Sequence, residues 1–133
     1  MNKKTEIPSI LRGYFEPRKE IIFAYIHGSF VEDLSYRDID IALYLDESIV
    51  PEEEQLDYCL ELGARAEINT GIMPLDIKPL NHAPWGFRYY ATKGMLLFSK
   101  DEELRTEFLE ETWKRYFDLL PKRKEIILDL LSG

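Results

Sequence analysis

Six consecutive apolar residues, Ile21 to Ile26, stand between a charged stretch and Gly28. The run is too short for a stand-alone buried helix and fits a strand buried on both faces. A second run has a different period. From Asp38 to Leu45, Ile39, Ile41 and Leu43 fall on one face, and Asp38, Asp40, Ala42 and Tyr44 on the other. That alternation marks another strand. Between the two lies Gly28-Ser29, then the polar, mixed segment from Phe30 to Arg37, which reads as a loop or one or two helical turns.

Helical and extended patterns alternate along the rest of the chain. Ile7, Ile10, Leu11, Tyr14 and Phe15 form a helical stripe that ends near Pro17. Asp46-Glu47-Ser48 is turn-like. A helix is expected from Pro51, where Glu52, Glu53 and Glu54 favour its positive end. Its expected buried stripe is Leu56, Cys59, Leu60, Gly63 and Ala66, and Asn69-Thr70-Gly71 closes it. Pro74 to Leu80 reads as a strand that Pro79 confines to an edge. A short helix is expected from Asn81 or His82 to Lys93, stopped by Gly94, and Met95 to Phe98 as a short strand. Asp101 opens a long helix with Leu104, Phe108, Leu109, Thr112, Trp113, Tyr116, Phe117 and Leu120 on one stripe, interrupted by Pro121 and resumed by Ile126, Ile127, Leu130 and Leu131. Trp85, Tyr89, Tyr90 and Trp113 are expected to pack the core. Residues 1–133 thus form one domain of α+β class, with α/β-like alternation around a small mixed sheet and a long C-terminal helix.

Composition narrows the function. Hydrophobic residues make up 45% and charged residues 32%, a globular mix. The formal net charge of −8 repels phosphate backbones, so direct nucleic-acid binding is not expected. No apolar run approaches the ~20 residues of a membrane span. The N-terminus lacks the apolar core of a secretory signal, so a cytoplasmic protein is expected. The single cysteine, Cys59, reads as buried filler on a helix. His27 reads as a strand-end residue bonded to a carbonyl, and His82 as a helix-start residue. Neither belongs to a zinc-type cluster.

The chemistry lies in the acids. Alternate residues of a strand point to one side, so Asp38 and Asp40 face one way, close enough to share divalent cations. Such like charges repel unless a cation sits between them. Oxygen-only ligation suits Mg²⁺, commonly held by one or two carboxylates plus substrate phosphates. Gly28 permits close approach of backbone to phosphate, Ser29 offers a hydroxyl and an N–H, and Arg37 can assist a phosphate or pair with a carboxylate. A third acid, Asp76, recurs between Leu75 and Ile77. Singly, each signal has a bland explanation, since Gly-Ser is ordinary turn chemistry and acids often sit at solvated strand ends. Their order along the chain carries the weight.

That order resembles the nucleotidyltransferase superfamily related to the polymerase-β palm, and within it the minimal nucleotidyltransferases, the MNT proteins. His27-Gly28-Ser29-Phe30 and Arg37-Asp38-Ile39-Asp40-Ile41-Ala42 look like their signature. Leu75-Asp76-Ile77 with Leu80-Asn81-His82-Ala83-Pro84 looks like the third-acid strand and its turn. The segment between Ser29 and Asp38 is a couple of residues shorter than the commonest family form. The resemblance implies a nucleotidyltransferase fold, with Asp38, Asp40 and Asp76 as catalytic metal ligands for two Mg²⁺ ions. It implies Gly28, Ser29 and Arg37 at the nucleotide, and ATP as substrate. MNT proteins commonly pair with a HEPN toxin ribonuclease, and family members place AMP on a toxin tyrosine. The resemblance therefore implies an antitoxin that adenylylates its partner. The alternative is a non-catalytic antitoxin that masks the partner's active site by docking. Transfer to a small molecule would need an acceptor pocket for which the sequence offers no evidence.

Overall fold

The computed structural model describes residues 4–32 and 37–132. Helix α1 (Ile7–Phe15) leads into strand β1 (Ile21–His27), a single-turn helix α2 (Ser29–Glu32) and strand β2 (Ile39–Leu45). A short 3₁₀ turn (Glu52–Glu54) precedes helix α3 (Gln55–Thr70) and strand β3 (Leu75–Pro79). Helix α4 (Trp85–Thr92), strand β4 (Met95–Ser99) and helix α5 (Glu102–Ser132) complete the chain. The four strands form one sheet in the order β3-β2-β1-β4. Strand β1 pairs antiparallel with β2 and β4, and β2 pairs parallel with β3, so the sheet is mixed, as expected. Within the segment from Phe30 to Arg37, α2 supplies the helical turn. Residues 33–36 lie outside the described residues.

The central position of β1 explains its unbroken hydrophobicity, because both of its faces are covered. One face joins Ala24 and Ile26 to Ile39, Ile41, Leu43 and Ile77, under the buried Leu11 and Phe15 of α1 and Cys59, Leu62 and Ala66 of α3. The other face joins Phe23 and Tyr25 to Ala42, Leu80, Ala91 and Phe108, under α4 and α5. A register shift between Ile21 and Phe23 turns Ile21 to the α1 side while Phe23 stacks on Tyr44, ring centroids 4.8 Å apart.

Packing chose a different stripe on α3 from the one hydrophobicity suggests. The buried residues are Gln55, Cys59, Leu62, Gly63 and Ala66, whereas Leu56 and Leu60 are 67% and 72% exposed. The two candidate stripes share Cys59, Gly63 and Ala66. They differ in that Leu62, and not Leu56 or Leu60, joins the core under the sheet, while at Gly63 a Cβ would meet the Ile77 side chain of β3 at 3.7 Å. Gln55 is accommodated because its Nε2 donates to Glu47 Oε2 at 2.8 Å and to the Val50 carbonyl. The helix ends, as expected, on Gly71 in the left-handed region at φ +74°.

Helix α4 starts at Trp85, later than the sequence suggests. Asn81 is buried and bonds both main-chain groups of Leu45: its Oδ1 accepts the N–H at 2.9 Å, and its Nδ2 donates to the carbonyl at 2.8 Å. Those bonds hold Asn81 to the sheet, and Pro84 then caps the helix. Asp101 does open α5, accepting the Leu104 N–H at 3.0 Å. Pro121 does not interrupt that helix, which runs through it for 31 residues. The turn is exposed, so water can satisfy the carbonyl that loses its donor. Only Phe108 and Thr112 of α5 are buried. Trp113 is exposed, Tyr90 is exposed, and Trp85 and Tyr89 are half-buried, so these rings are not the core that composition suggested.

These placements separate two substitutions. Asn81→Ala strands a buried N–H and a buried carbonyl, and is expected to cost about 2–4 kcal/mol in urea unfolding. Leu60→Ala is expected to stay within about 0.5 kcal/mol of the parent, as surface changes do.

Candidate active site

The sheet register places three polar side chains in one row. His27, the last residue of β1, is the partner of Asp40 on β2, and Asp40 is the partner of Asp76 on β3. Residues directly opposite share a face, so all three project to the α4 side at one end of the sheet. Asp38 precedes β2 rather than lying within it, but stays near enough for its charge to act on Asp40. The site residues named from the sequence therefore converge as follows: Asp40 and Asp76 side by side, Asp38 close at the strand entrance, and Gly28 at the exit of β1. Arg37 is exposed just ahead of Asp38, and Ser29 is half-buried at the start of α2.

Gly28 has two reasons to be glycine. Its φ is +77°, and a Cβ on it would lie 2.4 Å from Asp40 Oδ2. The Asp40 carboxylate is thus pressed against the backbone of the turn. Burial raises its pKa, the charges of Asp76 and Asp38 raise it further, and Lys78 opposes them. Lys78 is the site residue that sequence analysis missed. Its Nζ is 3.6 Å from Asp76 Oδ2, and its charge acts on both Asp40 and His27. The signal was present, since Asp76 and Lys78 are two apart on one strand and share a face. Only the register shows that this face meets Asp40.

His27 is at the end of its strand as expected, but its Nδ1 is buried with no hydrogen-bond partner among the described residues. The ring packs edge-on against Phe87 and Tyr90, at 5.4 and 6.0 Å. Burial chiefly, with Lys78, lowers its pKa to about 4 against the pull of Asp76. His82 sits in the turn before α4, with Nε2 2.5 Å from Glu47 Oε2. Cys59 is buried, as expected, and burial pushes its thiol up to about 12. Among the described residues, no three His, Cys, Asp or Glu side chains form a ready-made metal cage. The acids offer a partial, all-oxygen donor set, which is how Mg²⁺ is held when phosphate oxygens complete its shell.

A mixed four-stranded sheet with acids paired across two parallel strand ends, beside a glycine turn, defines a nucleotidyltransferase fold. The family model "Polymerase beta, Nucleotidyltransferase" matches residues 10–103, and the chain belongs to that family. The match ends where α5 begins. No curated protein matches the chain. Several solved structures share the fold over almost the whole chain. A toxin–antitoxin complex with AMP-PNP contains a chain with a TM-score of 0.69 at 20% identity, covering 98% of this chain and 99% of that one. A complex of tri-AMPylated Shewanella oneidensis HEPN toxin with MNT antitoxin gives 0.64 at 20% identity, covering 96% and 95%. An MntA–HepT toxin–antitoxin complex gives 0.65 at 19% identity, covering 96% of each chain.

His27 sets a pH dependence. Its pKa is about 4 in the fold against an ordinary 6.5, so the fold favours the neutral ring. The stability from that preference is complete above pH 6.5 and is lost as pH falls toward 4, roughly 3 kcal/mol in all. Urea unfolding of the metal-free protein across this range is expected to show the loss, and His27→Gln to lessen it. The difference between the two proteins isolates the histidine from Asp40, whose raised pKa favours the protonated acid and acts in the opposite direction.

Proposed function

We propose that this protein is a metal-dependent nucleotidyltransferase that moves AMP from ATP to a tyrosine hydroxyl of a partner HEPN ribonuclease toxin, acting as its antitoxin in the cytoplasm. The observation that carries the reading is the register Asp40↔Asp76 with Gly28 pressed against Asp40. It gathers the acids of the family signature beside the turn that would receive phosphate. The fold match to a chain in a complex with AMP-PNP, and to one in a complex with an AMPylated toxin, supports the donor and the acceptor class.

Asp38, Asp40 and Asp76 fit as metal ligands by their chemistry. The charges crowding Asp40 are those a divalent cation relieves. Two Mg²⁺ ions held there with the triphosphate would stabilise the attacking and leaving oxygens of an in-line displacement. The chain's own groups do the rest. The backbone at Gly28 and the hydroxyl and N–H of Ser29 hold phosphate oxygens, and Arg37 approaches from the strand entrance. The acceptor phenol oxygen bonds to the α-phosphorus as the bond from that phosphorus to the bridging oxygen breaks. Pyrophosphate leaves with that electron pair, and the phenol proton passes to the Asp76 carboxylate. Lys78 holds Asp76 in place. The net charge of −8 supports a protein rather than a polynucleotide acceptor. Among the described residues no helix is long and apolar enough to cross a membrane.

Docking is a second contribution, favoured by α5. Its distal half carries Leu120, Ile127 and Leu131 exposed along one side, with Phe117, which touches Tyr89 edge-on at 5.6 Å, at the near end. Such a face suits burial against a helical partner.

Radiolabelled ATP, Mg²⁺ and the product of the adjacent reading frame provide the test. Label is expected on the partner's tyrosine, and Asp38→Asn or Asp40→Asn is expected to lower transfer by about 100-fold or more. No label from the wild type, or full transfer by both variants, would refute the enzymatic reading. Ile127→Asp with Leu131→Asp is expected to weaken partner binding by about tenfold or more while leaving ATP affinity unchanged, since these residues touch only the interface. Calorimetry reads both affinities.

A further inference from the structure

The site has a direction across the sheet. The Gly28-Ser29 turn hangs from β1, Asp40 lies on β2 and Asp76 on β3, which is the edge strand. A nucleotide with its phosphates at Gly28 leaves the β3 side of the acids for the acceptor. On that side a cavity of about 500 Å³ opens, walled by Leu56 of α3, Lys78 and Pro79 of β3, Ala83 and Pro84 of the following turn, and Phe87 of α4. Lys78 joins the cavity to the acids. Its Nζ is 3.6 Å from Asp76 Oδ2 and 5.9 Å from the centre of the Phe87 ring. Glu52, Gln55 and His82 also line the wall; Gln55 and His82 are engaged by Glu47 Oε2, at 2.8 and 2.5 Å, and Glu52 Oε1 lies 3.8 Å from His82 Nε2. What remains for a ligand is apolar and ring-bearing, with a cation at the end nearest Asp76.

The outer edge of β3 is a poorer seat. The parallel ladder leaves residues 75, 77 and 79 with main-chain groups facing outward. The Leu75 N–H is taken by Glu67 Oε2 at 2.8 Å, and Pro79 has none. Of the three, Ile77 alone keeps an outward N–H without a partner among the described residues, so a further strand would find few donors along this edge, and a side chain in the cavity is the better-supported contact.

We propose that this cavity is the acceptor pocket and takes the ring of a tyrosine, with its hydroxyl directed past Lys78 to Asp76. The proposal rests on the transferase reading above and adds where the acceptor sits and what selects it. Phe87 offers a ring to pack against, Pro79 and Pro84 flank it, and Leu56, 67% exposed, stands at the mouth. A serine or threonine hydroxyl is too short to fill the pocket and reach Asp76 together, so the pocket discriminates by reach.

The test separates the pocket from the chemistry. In the full chain without nucleotide, N-acetyl-tyrosinamide is expected to shift the methyl NMR signals of Leu56 and Ala83, and N-acetyl-serinamide to leave them in place. Ala83→Trp, which fills the cavity, is expected to abolish those shifts and to lower AMP transfer to N-acetyl-tyrosinamide by about tenfold or more, with the affinity for ATP and Mg²⁺ held within about twofold. Leu56→Lys, at an exposed position that folding does not need, is expected to reduce transfer in the same way. No tyrosine-dependent shift in the wild type, or transfer by both variants at the wild-type rate, overturns the pocket. A parallel loss of ATP affinity in the variants overturns it too and gives the cavity to the nucleotide base. If the tyrosine amide shifts the methyls of a wild type that binds no ATP with Mg²⁺, the transferase reading fails and the tyrosine-ring pocket stands.

Discussion

The parallel ladder between β2 and β3 holds two carboxylates, Asp40 and Asp76, directly opposite each other. Like charges in that relation oppose folding, and only Lys78, hydration of the half-exposed acids or a bound cation can offset them. The register persists because the opposite face of the same strands fixes it. Ile39, Ile41 and Ile77 are buried there under α1 and α3, and a slip of one residue would turn Asp76 into that core. The hydrophobic side of the sheet thus clamps an electrostatically unfavourable arrangement on the other side.

Helix α4 gives the arrangement its walls. Phe87 and Tyr90 close on His27 edge-to-face, and Phe87 also lies near Lys78. The return from α4 to β4 passes so near β1 that a Cβ on Gly94 would fall 2.2 Å from the Ile26 carbonyl oxygen. The two glycines beside His27 serve different approaches: Gly94 lets the chain pass close to β1, and Gly28 lets the Asp40 carboxylate lie against the turn. The result is a neutral, buried imidazole beside acids and a lysine, an environment that strand patterning alone would not suggest.

Helix α5 divides into two parts with different physical roles. Its first turns lean on the body through Phe108 and through Arg105, whose Nη1 donates to the Tyr25 hydroxyl at 2.9 Å. Midway, Tyr116 stacks on Tyr89 at 4.0 Å. Beyond that the helix leaves the body, and its aliphatic side chains face solvent. Hydrophobic periodicity reads the same along its whole length because the stripe pattern of a helix does not record whether its own domain covers it.

The sequence by itself determined the strands, the α+β class, the Gly28 turn and the acids, because period-two alternation, short apolar runs and turn residues are local signals. It did not determine which of two overlapping stripes α3 buries, where α4 begins, or that Lys78 belongs with the acids. Those depend on contacts between segments far apart in the chain: Leu62 in the core cluster with Ile77, Asn81 against Leu45, and β3 aligned with β2. The cavity beside Lys78 is of the same kind, since α3, β3 and α4 each supply a wall and none of them encloses a volume alone. Local patterns specify what each segment is. Only the packed sheet decides which faces meet, and the chemistry of this site lies where they do.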